Sequence, residues 1–223
     1  MNKKIGCLHA HYSNIAYIEQ GVLPGTSAVE WIHFVDPGLM KRVMDNPCFD
    51  EAEAKSRVAQ QVDWIAKSGV DAILITCTNY IALMGENALT AAVPVIKIDE
   101  PLFDDLMRDG APQVLLFTNP ATVEGTMRRF GEHAAGKGMS THTAEARVID
   151  GAFELIMMGR KAEYEQVVSN YIAKIFALEG EDRRLAVAQL SMADAAMKAE
   201  RELKARIDHP LRSLALRMEA LLF

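Results

Sequence analysis

The stretch Asp71-Ala72-Ile73-Leu74-Ile75-Thr76-Cys77-Thr78-Asn79 decides the fold class. Its centre is apolar without alternation, the pattern of a strand covered on both faces, and it closes on small polar residues before a helical pattern begins at Ile81. Outward from it the same rhythm returns along the chain. Strands are expected at Lys4 to His9, Trp31 to Val35, Asp71 to Thr76, Val93 to Ile98, Gln113 to Phe117, Ser140 to Thr143 and Leu185 to Ala188. Apolar residues at helical spacing predict helices over Asp50 to Ser68, Ile81 to Ala91, Pro101 to Arg108, Ala121 to Lys137, Ala152 to Leu178 and Met192 to Arg206, with a closing helix over Pro210 to Phe223. Gly69, Gly110 and Gly180 stand just past three of these helices, where a C-cap glycine belongs. Such alternation specifies an α/β fold, a mainly parallel sheet wrapped by helices.

No stretch rich in Ser, Gly or Pro marks a linker. The softest place is Asp99 to Pro101, where a strand gives way to a Pro-led helix, and a domain transition is placed there. The expected domains are residues 1–99 with 208–223, carrying Cys77, and residues 100–207, carrying Thr118, Gln189 and Ser191. A faint internal similarity between Ile73-Leu74-Ile75-Thr76-Cys77-Thr78-Asn79 and Val114-Leu115-Leu116-Phe117-Thr118-Asn119 suggests two similar half-sheets.

The 223 residues carry a net charge of −6 without blocks of like charge, which argues against a nucleic-acid surface and for a small-molecule partner. No apolar run approaches the roughly 20 residues that span a membrane, and Gly6, His9 and His11 interrupt the start before a signal-peptide core forms, so a cytoplasmic protein is expected. Three cysteines, Cys7, Cys48 and Cys77, form no CxxC pair and suit free thiols in a reducing compartment.

In open parallel sheets, ligands bind beyond the carboxyl ends of the strands. Those ends present His9, His11, Ser13 and Asn14; Cys77, Thr78 and Asn79; Thr118 and Asn119; and Gln189 and Ser191. This set of hydroxyls and amides suits a carboxylate or amide ligand. A thiol at a helix N-terminus is drawn toward thiolate, which makes Cys77 the candidate base or nucleophile. The competing reading is a small core residue, with Thr78 and Asn79 as helix caps. Cys7, inside a strand, and Cys48, after Pro47, read as packing residues. His9 and His11 form an HxH pair of the kind that starts a metal site, but no further cluster with ligand spacing follows, so no metal is expected. Lys97 has no supporting signature for a Schiff base, and no GxxxxGK[ST] or GxGxxG is present, so cofactor-free chemistry is the expectation.

Taken in order, Leu8-His9-Ala10-His11, Ile75-Thr76-Cys77-Thr78-Asn79, Pro94-Val95-Ile96-Lys97-Ile98-Asp99-Glu100-Pro101, Phe117-Thr118-Asn119-Pro120-Ala121-Thr122, Gly151-Ala152-Phe153-Glu154 and Ala188-Gln189-Leu190-Ser191-Met192-Ala193 make the chain resemble the aspartate/glutamate/hydantoin racemase superfamily. The resemblance implies two similar flavodoxin-like parallel-sheet domains, an active site in the cleft between them, no cofactor and a homo-oligomer. It also implies proton abstraction beside a carboxylate or carbonyl by one cysteine and return of a proton from the opposite face by a second. Cys77 falls on the first cysteine. Thr78 and Asn79 fall on substrate-binding positions, and Ser13, Asn14 and Thr118 lie in loops that would hold a carboxylate.

At the second cysteine the chain departs from the family, with Ala188-Gln189 followed by Ser191. Neither an amide nor an unactivated hydroxyl has a pKa suited to proton transfer near neutrality. Ser191, His9, His11 or a bound water would then complete the proton path. Two further readings stay open: a one-thiol lyase, cis–trans isomerase or hydrolase of a small carboxylic acid, and a non-catalytic small-acid binding protein. The loops Gly21 to Val29 and Asp36 to Phe49 are expected to shape the side-chain pocket.

Overall fold

A computed structural model of the chain describes residues 2–22, 28–46, 49–84, 91–108, 110–139, 144–180 and 182–222. Ten helices and eight strands alternate among them. In chain order they are β1 (Lys3–His9), α1 (Asn14–Gly21), β2 (Val29–Val35), α2 (Pro37–Asp45), α3 (Glu51–Ala66), β3 (Ala72–Ile75), α4 (Thr78–Met84), β4 (Val95–Lys97) and α5 (Glu100–Met107). There follow β5 (Gln113–Phe117), α6 (Val123–Gly136), β6 (Ala144–Val148), α7 (Ala152–Met157), α8 (Lys161–Glu179), β7 (Arg184–Val187), α9 (Ala193–Leu203), β8 (Ile207–Asp208) and α10 (Pro210–Leu222). All strand pairs are parallel, in two sheets of the same order, β2-β1-β3-β4 and β6-β5-β7-β8. None of the described helices is long and apolar enough to cross a membrane.

The chain forms two compact units, residues 1–98 with 215–223 and residues 99–214. Identical strand order makes β1, β2, β3 and β4 the counterparts of β5, β6, β7 and β8. The two similar half-sheets expected from Ile73 to Asn79 and Val114 to Asn119 are therefore present, although these segments stand on β3 and β5 whereas β3 corresponds to β7.

Strand alternation builds the second unit's core. Val114, Leu116, Leu185, Val187 and Ile207 point to one face, under α7, α8 and α9. Leu115, Phe117, Ala186 and Ala188 point to the other, where Leu102, Phe103, Leu106 and Met107 of α5 and Phe130 and Ala134 of α6 cover them. Helix α5 thus follows the last strand of the first sheet but packs on the second. In the first unit Gly6 is dictated by packing, since a Cβ there would meet Ile65 of α3 at 2.5 Å.

Several boundaries differ from expectation. The strand placed at Ser140 to Thr143 lies outside the described residues, and the observed strand is β6, whose Glu145 and Arg147 suit an edge. The single helix expected over Ala152 to Leu178 is two helices. Gly159 adopts φ 73°, with Gly159 N–H donating to Ile156 carbonyl (3.1 Å) and Arg160 N–H to Leu155 carbonyl (2.9 Å), a Schellman stop that ends α7 before α8 begins. The helix expected over Met192 to Arg206 ends at Leu203, and β8 follows. Gly69 and Gly110 take left-handed φ of 76° and 62°, but Gly180 stays in the right-handed helical region. Helices α1 and α2 were not expected. The second starts where Asp36 Oδ1 accepts from Gly38 N–H (3.0 Å) and Leu39 N–H (3.2 Å), with Pro37 in the first turn.

Candidate active site

In the first unit the predicted residues gather at the carboxyl ends of β1 and β3, the two central strands. Thr76 N–H donates to Leu8 carbonyl at 3.1 Å, which extends the β1–β3 ladder to its last rung. Cys77 comes next, half-buried, and its carbonyl accepts from Ile81 N–H at 3.1 Å. Cys77 itself therefore caps α4, while Thr78 and Asn79 form the first turn instead of acting as the caps. Cys77 lies near the Tyr80 phenol, whose pKa is raised by burial first and by the neighbouring Asp36 and Cys77 next. The Tyr80 hydroxyl donates to the Asp36 carbonyl, and Asp36 N–H donates to the His9 carbonyl at 3.0 Å, so the ends of β1, β2 and α4 are tied together.

The HxH pair does not stay a pair. His9 is fully buried, with Nδ1 2.8 Å from Thr76 Oγ1 and Nε2 2.8 Å from His33 Nδ1. Burial first, and His33 second, lower its pKa to about 4, so the ring is neutral. His11 is exposed and bonds locally, its Nδ1 lying 2.8 Å from Ser13 Oγ and accepting from Ser13 N–H at 3.2 Å. Asn14 reaches across to donate its amide to Thr76 Oγ1 at 3.2 Å. Thr76, which precedes the thiol, is thus held from both sides. Cys7 is buried beneath this layer and its thiol is pushed up by burial, which fits the packing role expected of it in the absence of a cation. Cys48 lies outside the described residues.

The second unit has its own polar cluster at the ends of β5 and β7. Gln189 Oε1 accepts from Thr118 N–H (2.7 Å), Asn119 N–H (3.0 Å) and Thr118 Oγ1 (3.0 Å). Two backbone donors fix the orientation of this amide, and its carbonyl end pins the β5 turn. Asn119 Oδ1 caps the following turn by accepting from Ala121 N–H at 3.0 Å. Ser191 Oγ lies 3.0 Å from the Tyr164 hydroxyl, which is itself 3.3 Å from Thr118 Oγ1. Tyr164 is fully buried, and burial raises its pKa.

Gln189 follows β7 as Cys77 follows β3, so the amide occupies the topological counterpart of the thiol. Sequence reasoning missed Tyr164 and His33. A buried Tyr on an amphipathic helix carries a weak signal, that its hydroxyl requires a partner. His33 shows itself only once β1 and β2 are in register.

The family model for Asp/Glu/Hydantoin racemase matches residues 15–209. No curated protein matches the sequence. Among solved structures, the aspartate racemase of Picrophilus torridus is similar at 12% identity and TM-score 0.70, over 99% of this chain and 94% of that one. The allantoin racemase of Klebsiella pneumoniae is similar at 19% identity and TM-score 0.68, over 99% and 88%. The glutamate racemase of Francisella tularensis is similar at 17% identity and TM-score 0.66, over 100% and 81%. These likenesses show a shared fold, and with the family match across most of the sequence, the chain belongs to the Asp/Glu/hydantoin racemase family of enzymes.

Proposed function

We propose that this enzyme is a cofactor-independent racemase acting at the carbon beside the carboxylate or carbonyl of a small amino-acid-like or hydantoin-like substrate, with the Cys77 thiolate as base. The observation that carries this reading is the placing of Cys77 at the end of a central strand, half-buried, behind a Thr76 held by both His9 and Asn14. The thiolate takes the proton from carbon, and the C–H electron pair moves into the adjacent carbonyl. A proton delivered to the opposite face of the same carbon then gives the mirror isomer with no net change of atoms. Ser13, Thr78 and Asn79 are the hydroxyl and amide groups of the same unit for the substrate's oxygens.

Gln189 favours a second reading. An amide in the counterpart position is no acid, and its oxygen is already committed to three donors. A one-thiol reaction, such as decarboxylation, cis–trans isomerisation or hydrolysis of a small carboxylic acid, needs only one such group. Proton NMR in heavy water against amino acids, hydantoins and small di-acids separates the two. Loss of an α-proton signal without a new compound supports racemisation; a new product supports the one-thiol reaction. In either case Cys77→Ala should lower turnover roughly 10²–10⁴-fold, the usual contribution of a positioned acid–base group. Turnover unchanged in that variant would refute both readings.

A further inference from the structure

We propose that Cys7, His9 and His33 form a zinc(II) site at the carboxyl end of the first sheet. Register brings the three together: Cys7 and His33 are cross-strand partners in β1 and β2, and His9, two residues on from Cys7, returns to the same face. The thiol sulfur and one ring nitrogen from each histidine lie within 4.8 Å of one another. Thiolate with two imidazoles is a donor set that zinc takes readily.

Proton placement supplies an independent argument. The Thr76 hydroxyl donates to Leu8 carbonyl (3.3 Å), so its oxygen accepts from His9 Nδ1–H (2.8 Å). His9 therefore presents a lone pair from Nε2 toward His33 Nδ1, 2.8 Å away. On a neutral His33 ring Nδ1 donates to His9, which leaves the Nε2 lone pair buried, without a hydrogen-bond donor, and 3.5 Å from the Glu19 carboxylate. Two acceptors then face each other.

A cation on His33 Nδ1 removes the conflict. The ring proton moves to Nε2 and points at Glu19, while His9 already donates through Nδ1 to Thr76. These are the outer hydrogen bonds that metal-bound imidazoles make. Zinc takes one electron pair each from His9 Nε2, His33 Nδ1 and Cys7 Sγ, and the Cys7 thiol proton leaves, so one proton is released per ion. Zinc–nitrogen bonds of about 2.0–2.1 Å ask the two rings to part by roughly half an ångström and the sulfur to close in. Access runs past His33, whose side chain is 13% exposed. The ion joins β2 to β1 and, through His9 and Thr76, positions the residue before Cys77; it stands independently of the racemase reading.

The test is titration of the purified 223-residue chain, stripped with chelator, with zinc and with cobalt(II). One equivalent should bind with release of one proton, raise the melting temperature, and in the cobalt form show a near-ultraviolet thiolate-to-metal charge-transfer band. His33→Gln, on the edge strand β2, and Glu19→Gln, on α1, should weaken binding, the latter about 10–100-fold. Cys7→Ser should abolish the band, and Cys77→Ala should leave uptake and band unchanged. Should Cys7→Ser fail to fold, the His33 and Glu19 variants carry the test. Absence of stoichiometric uptake, affinity undiminished in His33→Gln, or uptake that vanishes in Cys77→Ala would overturn the proposal.

Discussion

Gln189 is the residue at which sequence and structure inform each other most. The sequence offers an amide at the end of a strand; the structure gives that amide a job, holding Thr118 and Asn119 through one oxygen. Gln189→Ala should orphan those donors and cost on the order of 1–3 kcal/mol, whereas Gln189→Glu keeps an acceptor and should lose much less. Urea melts of both variants check this; equal losses would show that the acceptor is not what matters. The candidate residues at strand ends were legible because the fold class dictates where polar groups collect. Their partners were not. His11 with Ser13 is a local pair, but Gln189 with Thr118 and His9 with His33 exist only through register, which no stretch of Trp31 to Val35 or Leu185 to Ala188 encodes alone.

At the scale of elements, the central strands were readable because burial on both faces makes them apolar throughout, as in Val114 to Phe117. The edge strands β2 and β4 were also expected, at Trp31 to Val35 and Val93 to Ile98, whereas β6 and β8 were not. Strand β6 carries Glu145 and Arg147, whose ion pairs with Arg183 and Glu179 replace a hydrophobic pattern. Helix α2 lies in the stretch Asp36 to Phe49 that reads as loop, although Asp36-Pro37 signals a helix start. The break between α7 and α8 was hidden because apolar spacing runs across it, although Gly159 marks it. Gly159→Ala would force a left-handed alanine and should cost about 1 kcal/mol, even though a Cβ there meets nothing within 4 Å. Gly136→Ala, in the last turn of α6 with similar space, should be neutral or stabilising by up to about 1 kcal/mol. Thermal melts showing the same sign for both would refute the argument from backbone conformation.

The whole molecule is a repeated α/β unit in which the helix after each last strand contributes to the other unit: α5 lies in residues 99–214, and the later part of α10 in residues 215–223. That exchange was illegible in sequence, because helical periodicity states that a face is covered and not by which sheet. His209 stands where the second exchange begins, between β8 and α10, and its Nδ1 caps the helix by accepting from Arg212 N–H at 3.3 Å. Its Nε2 is buried without a partner. Burial first, then the adjacent Arg212 and Arg206, lower its pKa from 6.5 to about 4, while Glu200 and Asp208 pull the other way. Because the folded value lies below the unfolded one, only the unfolded chain takes up this proton between those values. Stability is therefore untouched above about pH 6.5 and falls as pH drops from there toward 4, by on the order of 1–3 kcal/mol. His209→Asn keeps a capping acceptor and removes the titration, so melting curves from pH 7 to 4 should show a shallower acid limb in the variant. Parallel limbs would mean that His209 titrates in the folded protein as it does in the unfolded chain.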